Sequence, residues 1–472
     1  MPNVYALRNI PPEVSAYGMA KYSRSNSPLR DSLLELSEEK AANFLDTFYF
    51  SYGHASIADL AHIPLAIEDI SLFAAMTLVD EPLWDGQERS TRYQNFDNAP
   101  YYRPTSPPEG YDEAIRELFA LYRGLYDICF QALRDRYPKP PTMKGGAYDR
   151  TIKARAFDVA RYALPLATLT SVGQITSARV LENQVSRLLG SPHQEIRDMA
   201  WHMKEAVTEK APFSLDRSVE ETPVAPTLIK YASPSPYKAD LRSIVRDIAE
   251  DILPRSTSGS EIPPAVDLTL AGEDPITDAI AMALYDVRPM SFRTIRHYVQ
   301  DLDKGTRDDI VATLFADRGP HDDWPRFMRN GSLYFDLTMD VGSFRDFNRH
   351  RRLTKVVPEL ALASGFEHPS MLKDLVPTFP YQQRLDAYYA KLGTIDPTMV
   401  PYLLPLAHAR RALFVMDLAE ACYLIELRSR SAGHFSYRTL AWEMYRALEQ
   451  RMPGIAKHIR VTPPSEFDPF ER

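Results

Sequence analysis

The sequence predicts an α+β fold built from two tandem, homologous, helix-rich domains. Three observations predict it. Leu164-Pro165-Leu166 recurs as Leu404-Pro405-Leu406, with a segment read as helical after each copy. Residues 333–341 alternate apolar and polar as a strand does, and Ile63, Leu65 and Ile67 alternate likewise. Between the copies, the stretch from Glu220 to Pro264 is rich in Pro, Ser and Thr, as a linker is. The expected division is a first domain over 1–225, a partly helical linker over 226–261 and a second domain over 262–472.

Taken in order, a helix opens near Ser37-Glu38-Glu39 and leads to Gly53-His54-Ala55-Ser56. The Ile63–Ile67 alternation runs on to Ser71-Leu72-Phe73. Pro82 and Gly86 break the chain ahead of Glu88-Arg89-Ser90-Thr91-Arg92-Tyr93. From Pro165 it is 22 residues to Arg187, and from Pro405 it is 23 to Arg428. In the second copy Phe414, Leu418, Ala421 and Ile425 step along one helical face that ends in Arg428. The linker carries one helix, Lys238–Ile252. After the 333–341 strand, Gly342 is a breaker and Ser343 a candidate cap for a helix beginning Phe344-Arg345. Setting Ser71 against Ser343 places Thr77-Leu78-Val79 opposite Arg349-His350-Arg351.

Composition narrows the function classes. The 472 residues carry 55 basic against 63 acidic side chains, a net charge of −8, which disfavours an extended nucleic-acid surface. A few local arginines can still hold a small anion. Hydrophobic residues at 44% and charged residues at 25% are ordinary globular usage. No apolar run approaches the roughly 18 residues that cross a bilayer, and the start lacks an export signal, so a cytoplasmic protein without a membrane partner is expected. Cys129 and Cys422 are the only cysteines, which excludes a disulfide framework. No metal site is expected either, since His321-Asp322-Asp323 lacks metal-ligand spacing. With 38 Pro against 19 Gly and no GxGxxG or GxxxxGK[ST], glycine-rich phosphate loops are not expected.

Four clusters could carry chemistry: Gly53–Ser56, Glu88–Tyr93, the helical i, i+4, i+8 set Arg179, Asn183 and Arg187, and Arg349-His350-Arg351 with Arg345 one turn earlier. Singly, each also fits a loop, a cap or a solvated face. Ser90 has no spaced His and Asp, so a hydrolytic triad is not suggested.

Together and in this order, the clusters resemble the flavin-dependent thymidylate synthase family, in tandem duplicate. The signature is Arg-His-Arg, then Ser-x-Arg-Tyr, with a Gly-His-x-Ser-like segment before and a Leu-Pro helix ending in arginine after. The first half matches at Gly53–Ser56, Glu88–Tyr93, Ala160–Pro165, Arg179 through Asn183 to Arg187, and Gln194-Glu195-Ile196. The second half matches at Phe344–Arg351 and from Leu404 to Arg428. The first half has no Arg-His-Arg, and the second no Ser-x-Arg-Tyr (Glu359-Leu360-Ala361-Leu362 instead) and no Arg/Asn pair (Ala419 and Tyr423 instead). The halves are thus complementary.

The resemblance implies a small mixed or antiparallel sheet in each domain. It implies methylation of dUMP at C5 to dTMP with FAD, methylenetetrahydrofolate and NADPH, at a composite site between the two domain types in a homodimeric pseudo-tetramer. It implies catalytic roles for Arg349, His350, Arg351 and Ser90. Substrate would be bound by Glu88, Ser90, Arg92, Arg161 and Arg428. Cofactor would be bound by Ser23, His54, Ser56, Arg179, Asn183 and Arg349–Arg351. Asp346 stands where the family tends to place Gln, which admits another pyrimidine nucleotide as substrate. A degenerate nucleotide- or flavin-binding protein is the further alternative.

Overall fold

The computed structural model describes residues 7, 10–22, 29–34, 41, 45, 55–214, 222–253, 265–272 and 274–471. Ser23, Ser37–Glu39 and His54 therefore lie outside the described residues. The chain forms two compact units that interleave in sequence. The first comprises Met1–Arg89, Pro100–Thr105 and Ala167–Ser258; the second comprises Ser90–Ala99, Ser106–Leu166 and Gly259–Arg472. None of the described helices is long and apolar enough to cross a membrane.

The first unit is built on an antiparallel sheet of β1 (His62–Ser71), β2 (Asp85–Glu88) and β3 (Leu169–Ser177), with β3 in the middle. Alternation buries Ile63, Ile67 and Val172 beneath the Ala178–Leu189 and Gln194–Thr208 helices. A bulge interrupts β1 between Ile67 and Ile70, where Asp69 takes φ 56°. Ser71 ends β1 and caps the Leu72–Leu78 helix by accepting from the Ala74 N–H. Glu195, buried, accepts from both the N–H and the hydroxyl of Ser71, at 2.7 and 2.6 Å.

The second unit repeats the plan on β4 (Val266–Ala271), β5 (Ser332–Asp340), β6 (Thr354–Val356) and β7 (Ala409–Met416), an antiparallel sheet in the order β4-β5-β7-β6. The α+β class and the small antiparallel sheets expected from the sequence are both present. Two long helices, Tyr111–Arg136 and Gly145–Ala160, belong to this unit. So do both Leu-Pro-Leu copies. They pair with each other, Leu166 N–H donating to Leu404 O and Leu406 N–H to Leu164 O, each at 2.9 Å.

Two local readings of the sequence are corrected. Phe414 lies on β7 rather than in a helix; the helix begins at Leu418 with Asp417 as its cap. A four-residue step from Phe414 to Leu418 mimics helical period across a strand–helix junction. Likewise Asp340, not Ser343, caps the Val341–Phe347 helix, accepting from the Ser343 N–H. The first helical N–H donates to the same place in each unit, Leu72 to Thr168 O and Val341 to His408 O. Ser71 therefore answers to Asp340. Asp80-Glu81-Pro82, not Thr77-Leu78-Val79, stands where the second half has Arg349-His350-Arg351.

Candidate functional site

The second unit gathers a basic cleft from segments far apart in sequence. Ser90 to Tyr93 contribute Arg92. Its Nε and one terminal nitrogen form a forked pair with Asp158 at 2.7 and 3.1 Å. Asp158 is fully buried on the Gly145–Ala160 helix; burial pushes its carboxyl up, but Arg92 and its neighbours hold it well below the usual range, so it stays ionised. The remaining terminal nitrogen of Arg92 donates to the Tyr437 hydroxyl at 3.3 Å. The Ser90 hydroxyl accepts from the Arg92 N–H at 3.2 Å, shaping the loop that carries both.

Arg161 follows one turn after Asp158 and is 2% exposed. Its Nε and Nη2 have no hydrogen-bond partner among the described residues. It lies over Gly342, where a Cβ would stand 3.3 Å from Arg161 Nη2 and 2.9 Å from Asp340 Oδ1. A larger residue at 342 would push the guanidinium aside. Beneath it, Asp340 collects hydroxyl protons from Ser343, Ser436 and Tyr162, which locks the floor of the cleft.

The Val341–Phe347 helix delivers Arg345 and Asp346, and the turn after it Arg349 and His350. Asp346 sits between Arg161, Arg349 and Arg428, each with one Nη1 at 3.9 Å from a carboxylate oxygen. That is beyond hydrogen-bond reach. Burial pushes the Asp346 carboxyl up, but Arg349, Arg161, Arg428 and Arg92 outweigh it and keep it ionised. Arg345, buried, donates to the Thr91 hydroxyl at 3.4 Å.

His350 links the cleft to the Leu418–Ser429 helix. Arg428 Nε donates to His350 Nε2 at 3.0 Å, so the ring proton sits on Nδ1 and reaches Glu420 at 3.2 Å. Burial holds this imidazole below its ordinary range, and the neutral ring is the form that can accept from Arg428. Arg428 also donates to the Asp346 carbonyl at 2.5 Å, and both it and Arg92 approach the Tyr437 ring, their guanidinium carbons 5.6 and 5.9 Å from the ring centre. A cavity of about 510 Å³ opens beside Arg349–Arg352, Tyr423 and Arg428. Its far wall is Arg318, stacked 3.9 Å over the Trp324 ring and forked onto Glu426.

Ser90, Arg92, Arg161, Arg349, His350, Arg351 and Arg428 thus all belong to the second unit. Arg351 is exposed at the cavity rim. Glu88 ends β2 in the first unit. Arg179, also in the first unit, is half-exposed and paired with Asp59 at 2.8 Å, while Asn183 donates to the Arg179 carbonyl at 3.0 Å. Ser56 is exposed in the short Ala55–Leu60 helix. Among the described residues no cluster of His, Cys, Asp and Glu is placed to hold a metal ion. Both cysteines are buried, with the Cys129 thiol pushed up to about 12 and that of Cys422 well above its ordinary value, so neither is a nucleophile at neutral pH.

Asp158, Glu420, His434 and Tyr437 were not singled out from the sequence. Arg155, Asp158 and Arg161 recur every third residue along the Gly145–Ala160 helix and its C-cap, a usable signal. So was Gly433-His434-Phe435-Ser436, a second Gly-His-x-Ser. His434 is fully buried; its Nδ1 accepts from the Ser436 N–H at 3.2 Å and its Nε2 donates to the Asp158 carbonyl at 2.9 Å. Burial and the Arg161 charge keep it neutral.

The Thy1 family, described as thymidylate synthase complementing protein, matches residues 7–213 and 332–454, well over half of the chain. The chain belongs to this family. Two relatives known as UPF0159 proteins align along almost their whole length. That of Chlamydia muridarum is 26% identical over 98% of this chain and 93% of its own. That of Thermoplasma acidophilum is 24% identical over 95% of each. The crystal structure of a UMP/dUMP methylase PolB from Streptomyces cacaoi, bound with 5-Br dUMP, overlaps 42% of this chain and 97% of its own. It does so at 13% identity and a TM-score of 0.31, too slight a likeness to bear on fold or chemistry. In this member of the family, the Arg-His-Arg and Ser-x-Arg-Tyr motifs lie in different halves of the sequence and in one compact unit.

Proposed function

We propose that the basic cleft of the second unit binds the phosphate of a deoxyuridine nucleotide, and that the chain methylates dUMP at C5 to give dTMP. One observation carries the reading. Arg161 is almost fully buried, its Nε and Nη2 have no hydrogen-bond partner among the described residues, and the Asp346 carboxylate that faces it at 3.9 Å is approached at the same distance by Arg349 and Arg428. A buried cation so poorly compensated as Arg161 calls for an anionic ligand, and a nucleotide phosphate is close to a dianion. Arg92, oriented by Asp158, turns its Nη1 toward the Tyr437 hydroxyl, and Ser90 adds a hydroxyl. His350 fixes Arg428 by accepting its Nε–H, so Arg428 meets the ligand in one orientation.

Family membership supports FAD as cofactor, with methylenetetrahydrofolate as carbon donor and NADPH as reductant. The donor set fits a flavin: Arg349, Arg351 and Arg352 line the cavity, and cations there match the negative charge a reduced flavin carries near N1. When bound, the flavin supplies the redox chemistry, and no protein nucleophile is required. Arg349 and Arg351 would hold that charge, with Arg349 also facing Asp346. A second reading, another pyrimidine nucleotide as substrate, is favoured by Asp346 itself, because a carboxylate inside the arginine ring changes what the ring accepts. The two homologous domains over 1–225 and 262–472, the homodimeric pseudo-tetramer and the cytoplasmic location stay part of this proposal.

The experiment is a visible absorption spectrum of the purified protein with FAD, before and after dUMP, followed by an assay for dTMP. A flavin band that shifts with dUMP, and dTMP formed only with methylenetetrahydrofolate and NADPH, is the expected result. No flavin uptake at excess FAD would overturn the methylase reading.

A further inference from the structure

Asp158 is contested. Arg92 holds both of its oxygens, and Arg155, one turn earlier on the same helix, stands 3.6 Å from Oδ2, the oxygen that Arg92 Nη2 reaches at 3.1 Å. Arg155 and Asp158 are both buried, so neither can turn to water. Two cations and one carboxylate in a dry site form an unstable arrangement unless something else occupies one of the cations.

The last residues of the chain do so. Arg155 Nε donates to the Pro469 carbonyl at 3.2 Å, and its Nη2 to those of Asp468 and Glu471 at 3.2 and 2.7 Å. The Phe467 ring covers the guanidinium at 4.9 Å. A second buried arginine, Arg438, ties down the same stretch by donating to the Pro463 and Glu466 carbonyls, each at 3.1 Å. Five backbone carbonyls of Pro463–Glu471 thus accept from two buried guanidiniums. None of these contacts depends on the side chains of the charged residues in that stretch.

We propose that Pro463–Glu471 is a strap that acts through Arg155 to keep Arg92 in its ligand-binding orientation. With the strap in place, Arg155 spends its donors on carbonyls and leaves Asp158 to Arg92. Without it, Arg155 has lost three acceptors, and its nearest remaining anion is the carboxylate that aims Arg92. Arg155 is a positioning residue; Arg92 is the group that meets the ligand. This rests on the nucleotide reading given above.

The test is a calorimetric titration of dUMP into four proteins: the full chain, a chain ending at Glu466, and each of these with Arg155→Met. Shortening should weaken dUMP by about tenfold or more, the value of one misdirected charge-assisted contact. Arg155→Met should restore the shortened chain to within about threefold of the full chain, and change the full chain little, since no ligand contact is removed. A shortened chain that binds as tightly as the full one overturns the proposal. So does one that stays weak with Arg155→Met, because a strap that merely props the fold is not rescued by deleting a buried charge. If the full chain itself binds no dUMP, the nucleotide reading fails, and melting temperatures decide the strap. Arg155→Met should lower the melting temperature of the full chain and raise that of the shortened one; lowering both overturns the proposal. Arg155→Gln provides the same arms should Met at this position not fold.

Discussion

Replacing Arg161 with Met should make the ligand-free protein more stable and a poorer binder. The sign follows from the surroundings of the guanidinium. Two of its nitrogens are buried without a partner among the described residues, where the carboxylate oxygen paired with it stands 3.9 Å away. A buried unsatisfied donor costs about 1–3 kcal/mol, and Met replaces the stem with a flexible apolar chain of similar reach. Removing one member of a buried pair is normally costly because it strands the other charge. Asp346 is not stranded, since Arg349 and Arg428 remain at the same 3.9 Å. A net gain of about 1–3 kcal/mol corresponds to a rise of roughly 3–8 °C in melting temperature for a unit of this size. With dUMP the order reverses. Loss of a charge-assisted contact worth about 1.5–3 kcal/mol weakens binding roughly 10- to 150-fold. Thermal unfolding with and without dUMP, beside a dUMP titration, reads both effects. A variant that melts below the parent without ligand, yet binds dUMP as well, would refute the claim that Arg161 is held under-bonded for an anion.

Two further predictions concern the same unit. His350, His408 and His434 are all held below their ordinary value by burial, His408 down to about 4, so the unfolded chain binds more protons than the folded one at mildly acidic pH. Stability should be level above about pH 6.5 and fall as pH drops towards the folded values, His408 alone removing about 3 kcal/mol by pH 4. Urea midpoints across pH 8 to 4.5 check this, and a flat profile contradicts it. Arg92→Ala and Arg349→Ala should each abolish dUMP binding, and a mixture of the two should remain inactive, because both side chains serve one unit of one chain. Recovery of binding in the mixture would mean that the working site is shared between chains.

The sequence disclosed the parts that obey simple periods. The β5 alternation, the Leu-Pro-Leu copies, the Arg428 stripe and the Arg-His-Arg run are local patterns, and each led to the element or motif present. What escaped was non-local. Asp158 orients Arg92 across 66 residues, and Glu420 orients His350 across 70. Glu420 does not differ in sequence from a solvated carboxylate, and Asp158 differs only in its three-residue spacing from Arg155 and Arg161. The strand–helix junctions misled in both directions: Phe414 kept a helical step while lying on β7, and Ser343 looked like a cap while serving as the N–H donor to one. Hydrophobic pattern reports which face is buried, not where a strand yields to a helix, and one shifted cap moved the alignment of the halves by a full turn.

With the caps matched, the halves make the same contact with opposite chemistry. Arg187 in the first unit donates to the Thr77 carbonyl at 3.0 Å and forms an ion pair with Glu81 at 2.7 Å. Arg428 in the second donates to the Asp346 carbonyl and to His350, and these are the residues that answer to Thr77 and Glu81. Counted from the caps, Arg187 answers to Leu427, one residue before Arg428, yet each arginine reaches the matching backbone carbonyl; the side-chain partner has changed. A glutamate neutralises Arg187 outright. A neutral imidazole, its other nitrogen occupied by Glu420, directs Arg428 without cancelling its charge. Val180 stands where Glu420 would be in the first half, three residues after the cap in each helix, so an imidazole at 81 would have no carboxylate to set its tautomer. Where the second half has Arg-His-Arg, the first half thus carries a glutamate that satisfies a part-buried cation within the protein. In the second half Arg428 keeps its charge for a ligand, and that asymmetry sets the two units apart.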